Sequence, residues 1–128
     1  MGAMALVVIQ ARCGSTRLPR KVLAPVLGRP LLLRLIDRVR GAQSLDELVI
    51  ATTADQSDDE LAAMLTREGV AVFRGSVDDV LSRFVSILDA HPHQHVVRLT
   101  GDNPMVDAAT VDLVVGEHMH DGADYTTN

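Results

Sequence analysis

The densest chemistry in this 128-residue chain lies between Ala11 and Lys21, where four cations, two hydroxyls and a glycine share eleven positions. Gly14 lets backbone come close to a ligand, Ser15 and Thr16 can donate from their hydroxyls, and Arg12, Arg17 and Arg20 can grip phosphate oxygens in pairs. Lys21 is the only lysine in the chain. These residue types point to a site for a small anion; the competing reading is a solvated basic loop. Position favours the site, because the stretch follows a run typical of a buried strand and is long for a strand-to-helix connection.

Three familiar anion motifs are absent. A Walker loop needs Gly-x-x-x-x-Gly-Lys-Ser/Thr and the dinucleotide fingerprint needs Gly-x-Gly-x-x-Gly, and neither follows the first apolar run. A thiol phosphatase places arginine six positions after its cysteine, where this chain has Pro19. Cys13 therefore reads as a loop residue rather than a nucleophile.

Strand-helix alternation must position that loop. Leu6–Ile9 is a continuous β-branched run suited to a strand buried on both faces. Pro30 suits a first helical turn, and Leu31, Leu32, Leu35, Ile36 and Val39 recur at helical spacing up to Arg40-Gly41. Residues 48–52 form a second strand; Ser57 and Glu60 have capping-box spacing and open a helix to Gly69. Val70–Phe73 is a third strand, and Ser76 with Asp79 repeats the cap before a helix that ends at Pro92. Val96–Thr100 is a fourth strand, Gly101-Asp102-Asn103-Pro104 a turn, Ala109–His118 a helix, and Tyr125 the start of one more strand.

This order predicts an α/β fold, one domain over residues 1–128, with a parallel sheet between helical layers. Ligands in such sheets sit beyond the carboxyl ends of the strands where the winding reverses. If the first and fourth strands are neighbours there, the cationic loop and the acidic turn after Thr100 face one crevice. Charge is distributed to match. Positions 11–40 hold eight basic residues against Asp37 alone, a balance of +7, while the rest of the chain carries −12.

Composition excludes other classes. With 47% hydrophobic residues the chain can bury a core without staples, and a single cysteine forms no internal disulfide, so a reducing, cytoplasmic setting is expected. No apolar run nears the roughly 20 residues of a membrane span, and no signal peptide is recognisable. Met1–Ala3 read as an expression scar. Aromatic residues make up only 2%, with no tryptophan, too few for stacking on single-stranded nucleic acid. His91-Pro92-His93-Gln94-His95 reads as polar surface rather than a metal site, since no cysteine or spaced carboxylate joins it. Arg98, inside an apolar strand, is expected to belong to a buried ion pair.

Taken in order, several stretches resemble the nucleotide-sugar cytidylyltransferases, chiefly the spore coat polysaccharide type and more distantly the CMP-Kdo and CMP-acylneuraminate synthetases. The likeness rests on Ile9-Gln10-Ala11-Arg12-x-Gly14-Ser15-Thr16-Arg17-Leu18-Pro19-x-Lys21, Pro30-Leu31-Leu32 and Ala51-Thr52-Thr53. It continues through Arg74-Gly75-Ser76-x-Asp78-Asp79-Val80-Leu81-x-Arg83 and Arg98-Leu99-Thr100-Gly101-Asp102-Asn103-Pro104. Arg20 departs from the pattern, standing where the family has glycine. Family members also continue beyond the equivalent of Asn128 into a segment with sugar contacts, a second metal-binding acid and dimer contacts, so a truncated, nucleotide-binding portion is expected.

The resemblance implies a three-layer, nucleotide-diphospho-sugar-transferase-like sheet and attack by a sugar hydroxyl, on an acidic sugar, at the α-phosphate of CTP. Gly14, Ser15, Arg12, Arg17 and Lys21 would hold the triphosphate, with Lys21 or Arg12 countering charge on the leaving pyrophosphate. Asp102 would bind Mg²⁺; a turn aspartate capping its own backbone is the alternative. Ala11, Thr52, Thr53 and Thr100 resemble parts of the cytidine pocket. Arg74 and Asp79 match a second substrate motif, although Asp79 could equally cap its helix and pair with Arg83. The implied partners are CTP, a sugar and a second copy of the chain, with neither nucleic acid nor membrane. A non-catalytic nucleotide-binding or scaffolding module is the alternative from another class. A related glycosyltransferase is disfavoured because its metal motif uses two acids one residue apart, which Asp102-Asn103-Pro104 lacks.

Overall fold

The computed structural model describes residues 4–14 and 20–128. Its main sheet has four parallel strands in the order β5-β4-β1-β6, where β1 is Ala5–Gln10, β4 Leu45–Thr53, β5 Ala71–Gly75 and β6 Val96–Thr100. The first and last of these strands are neighbours, with Val8 opposite Arg98 and Gln10 opposite Thr100. On the other side of β1, Gln10 lies opposite Ala51 of β4. The winding therefore reverses at β1, and the loops after Gln10 and Thr100 emerge side by side.

Helices cover both faces. Helices α1 (Leu31–Val39), α2 (Asp59–Arg67) and α4 (Ala108–Asp121) bury Leu32, Leu35, Ile36, Leu61, Leu65, Val111 and Val115 with Val7, Ile9 and Ile50. Helix α3 (Val80–Ala90) sets Ile87, Phe84 and Leu88 against Leu6, Val8, Val49 and Ala51 on the opposite face. Strand β1 is almost wholly buried because both layers need it, which accounts for its uninterrupted apolar run.

Several local expectations are corrected. A two-stranded hairpin, β2 (Pro25–Val26) and β3 (Arg29–Pro30), precedes α1; it turns through Leu27 at φ 51° and Gly28 at φ 79°. Both central residues of such a turn need positive φ, and Leu27-Gly28 lacks the Asn-Gly or Asp-Gly signature that marks one. Ser57 is not the cap of the second helix: Asp55 takes the Ser57 N–H and starts a short 3₁₀ turn that runs into α2. Asp79 does cap α3, accepting from the Ser82 N–H at 3.0 Å, while Ser76 accepts from the Asp79 N–H. Among the described residues there is no strand at Tyr125, which is 81% exposed.

Two charge expectations also change. Arg98 is exposed, hydrogen-bonds Gln10 Oε1 at 3.1 Å and lies over the Phe84 ring, with no acid partner among the described residues. Because β6 is an edge strand and α3 covers mainly its neighbours, that side of β6 is open. Arg83 is buried beside Gly75 and points toward the Val77 carbonyl instead of Asp79.

Candidate active site

Two strand-end segments build the crevice. After β1 the chain continues through buried Ala11, exposed Arg12, buried Cys13 and exposed Gly14; after β6 it turns at Gly101-Asp102. The Gly101 N–H donates to the Gln10 carbonyl at 2.8 Å, joining the two segments at their base. A Cβ on Gly101 would stand 2.9 Å from the Ala11 Cβ and 3.2 Å from the Gln10 carbonyl, so only glycine allows this approach.

Above that junction the Lys21 ammonium reaches to 3.6 Å from Asp102 Oδ2. Lys21 opens a 3₁₀ turn over Lys21–Leu23, and buried Val22 anchors it. The pair is loose and partly exposed, a geometry in which each partner can turn to a ligand at little cost. Thr100 lies beside it, exposed at the end of β6. Ser15 and Arg17 fall outside the described residues.

Arg20 precedes Lys21 in the left-handed region at φ 62°, and its N–H donates to the Cys13 carbonyl. Glycine adopts this conformation without strain, which accords with the glycine that the resemblance implies at this position. Here the arginine side chain forms an ion pair with Glu60 of α2 at 2.5 Å.

The remaining sequence candidates are drawn into the scaffold. Thr52 and Thr53 are 0% and 1% exposed at the end of β4 and present no side-chain surface to the crevice. The Thr53 hydroxyl donates to Asp58, while the Thr52 hydroxyl is buried without a partner among the described residues. Arg74 donates to the carbonyls of Thr53 and Asp55 and pairs with Asp59 at 2.8 Å, clamping β4 to the start of α2. Asp79 is the α3 cap.

Sequence reasoning missed Asp58. Only 1% exposed, it accepts the Cys13 N–H at 2.7 Å through Oδ1 and the Thr53 hydroxyl through Oδ2. Its place in an acidic Asp-Asp-Glu run reads as helix capping, which hid the long-range contact. Burial raises the Cys13 thiol to about 11, assisted by the neighbouring Asp58 carboxylate, so the group is protonated and unreactive at neutral pH.

The donor set bears on a metal. Among the described residues no group of three His, Cys, Asp or Glu side chains could cage an ion. Asp102 is a single exposed carboxylate on the crevice wall, suited to share a hard cation with ligand phosphates. The histidine tract likewise forms no metal cluster; His91 and His93 pair with Glu47 and Asp46, each at 2.8 Å. No helix among the described residues is long and apolar enough to cross a membrane.

A family model described as cytidylyltransferase matches residues 6–128. The spore coat polysaccharide biosynthesis protein SpsF of Bacillus subtilis is 46% identical over 125 residues, covering 94% of this chain and 52% of that protein. A 3-deoxy-manno-octulosonate cytidylyltransferase of Chlorobium phaeobacteroides is 33% identical, over 89% of this chain and 45% of that one. Among solved structures, a cytidylyltransferase from Leptospira borgpetersenii superposes with TM-score 0.84 at 34% identity, over 91% of this chain and 50% of that one. A CMP:2-keto-3-deoxy-manno-octonic acid synthetase complexed with CTP gives 0.74 at 26% identity, over 94% and 49%. The chain thus spans about half the length of the curated relatives it matches. The crevice between β1 and β6 is carried by a chain that belongs to the cytidylyltransferase family.

Proposed function

We propose that this crevice binds CTP as its magnesium complex and serves the transfer of CMP to a hydroxyl of an acidic sugar in surface-polysaccharide precursor synthesis. The observation that carries the reading is the meeting of Lys21 and Asp102 at the carboxyl ends of adjacent parallel strands. An ammonium and a carboxylate on facing walls suit a polyanion that arrives with a hard cation.

In this reading Arg12, Gly14, Ser15, Arg17 and Lys21 receive the triphosphate, and Asp102 contributes an oxygen to Mg²⁺. When bound, the ion neutralises charge shared by the carboxylate and the phosphates. The sugar oxygen forms a bond to the α-phosphorus as the bond to the oxygen of the leaving pyrophosphate breaks, and the hydroxyl proton passes to solvent. Lys21 and Arg12 face the charge that grows on pyrophosphate. Ala11 and Thr100 border the cytidine side, with Thr52 and Thr53 shaping it from beneath, and Arg74 and Asp79 act by holding the surrounding elements.

The reading accords with the relatives, whose names include spore coat polysaccharide biosynthesis and 3-deoxy-manno-octulosonate cytidylyl transfer. We place the activity in the cytoplasm, where CTP is available. The outer edge of β6 and exposed Val96 and Leu113 support self-association, which sedimentation would detect as a concentration-dependent dimer.

Calorimetry with CTP, with and without Mg²⁺, tests the proposal. Metal-dependent binding that weakens in Lys21→Ala and loses its metal dependence in Asp102→Asn is expected. Metal-independent binding in the wild type, or wild-type behaviour in both variants, would refute it.

A further inference from the structure

Asp58 stands at the N-cap position of α2, yet it makes no side-chain bond to its own helix. Both carboxylate oxygens are instead used elsewhere. Oδ1 takes the backbone N–H of Cys13, 45 residues away, and Oδ2 takes the hydroxyl of Thr53 at the end of β4. Among the described residues no lysine or arginine forms an ion pair with it, although it is 1% exposed. A buried carboxylate needs such bonds to offset its desolvation, and a simple helix cap would have stayed in solvent.

The location gives those bonds a consequence. Cys13 lies between Arg12 and Gly14, and its carbonyl accepts the N–H of Arg20, the residue before Lys21. Asp58 thus grips the loop where its outgoing and returning limbs are hydrogen-bonded together, and ties that point to the strand end beside it. Arg20 with Glu60, and Arg74 with Asp59, attach flanking residues to the same helix start.

We infer that Asp58 is a positioning residue for nucleotide binding: by holding the Cys13 N–H and the Thr53 hydroxyl together, it sets the backbone at Ala11–Gly14 and, through the Cys13 carbonyl, at Arg20 and Lys21 before CTP arrives. The inference rests on the reading of the crevice as a CTP site. It concerns a residue that touches neither substrate nor metal and works through the loop backbone. Residues flanking a site that are already held in place avoid paying ordering entropy on binding.

Electrostatics and positioning predict opposite signs. Removing a carboxylate near a polyanion would by itself tighten binding, whereas loss of the preset backbone weakens it. The experiment measures CTP affinity in the presence of Mg²⁺ for wild type, Asp58→Ala, Asp58→Asn and Thr53→Val, with thermal melting to confirm folding. In parallel, the pH dependence of iodoacetamide alkylation is followed at Cys13, the only cysteine. Asp58→Ala should bind CTP about 10–100-fold more weakly, and Thr53→Val and Asp58→Asn severalfold more weakly. The alkylation midpoint should be lower in Asp58→Asn than in the wild type, because the neighbouring carboxylate that helps raise the thiol is neutralised.

Unchanged or tighter CTP binding by folded Asp58→Ala overturns the inference. If that variant does not fold, unchanged affinity in both Asp58→Asn and Thr53→Val does so. If wild type binds no CTP, the reading of the crevice fails on its own; an unchanged alkylation midpoint in Asp58→Asn then separately overturns Asp58's hold on the loop.

Discussion

The polar groups at the mouth of the crevice and those at the amino end of the sheet are arranged differently. At the amino ends of the strands, polar groups close on one another: Asp112 of α4 accepts the N–H groups of Gln43 and Ser44 and the Ser44 hydroxyl at 2.6–3.0 Å, and His91 and His93 pair with Glu47 and Asp46. At the carboxyl ends, Lys21 and Asp102 stand 3.6 Å apart in partial exposure, beside exposed Arg12 and Gly14. Satisfied networks hold a fold, whereas loosely paired charges keep their capacity for a ligand. Stability and binding are therefore expected to respond to different residues, the closed network around Asp112 to the first and the Lys21–Asp102 pair to the second.

The largest effect should come from crossing that divide. Lys21→Ala is expected to weaken CTP binding by roughly 10–1000-fold by removing a charge aimed at phosphate, while shifting unfolding free energy by less than about 0.5 kcal/mol. Asp112→Ala should do the reverse. Leaving the Gln43 and Ser44 donors without their acceptor should cost about 1–3 kcal/mol, read by denaturant unfolding, with CTP affinity unchanged in calorimetry. If the two variants lose binding and stability in the same proportion, the contrast between the ends fails.

A smaller effect sharpens the comparison inside the crevice. Because Arg20 has φ 62°, Arg20→Gly should be more stable than Arg20→Ala by about 1 kcal/mol, inverting the ordinary order of these residues. Both variants lose the exposed pair with Glu60, so that pair cancels in the comparison. Equal melting temperatures would show that the left-handed backbone at Arg20 carries no strain.

The smallest effect is a pH dependence at the amino end. The His91 carbonyl and the Asp46 carboxylate raise the His93 pKa, in that order of influence. A raised folded-state value means that protonated His93 stabilises the fold below its ordinary pKa of about 6.5, and that this contribution fades as pH climbs through the higher folded value. Melting temperatures of wild type and His93→Gln should accordingly differ more at pH 6 than at pH 9. A gap that widens toward pH 9 would reverse the sign and contradict the pairing.

The sequence carried the order of elements and the location of the crevice because both rest on local, periodic signals. The apolar run at Leu6–Ile9 requires a strand buried on both faces, and the cation-rich stretch behind it is unusual in any setting. What escaped depends on contacts between distant residues. Asp58 looks like one more acid in a helix-opening run until its carboxylate is seen to hold Cys13, and nothing local signals that the Thr53 hydroxyl donates to the same carboxylate. Arg98 appeared to need a buried partner because its neighbours are apolar, but as part of an edge strand it simply faces outward. The hairpin at Leu27-Gly28 was hidden by a leucine in a backbone region that leucine seldom adopts.

The central claim is that the crevice between β1 and β6 recognises CTP together with a divalent cation. Titration calorimetry of the wild-type chain with CTP, UTP, ATP and GTP, each with and without Mg²⁺, tests it most directly. The expected result is Mg²⁺-dependent binding in which CTP is held at least about tenfold more tightly than the other three, a free-energy preference of about 1.4 kcal/mol. Equal affinity for all four nucleotides, or CTP binding indifferent to Mg²⁺, would contradict it.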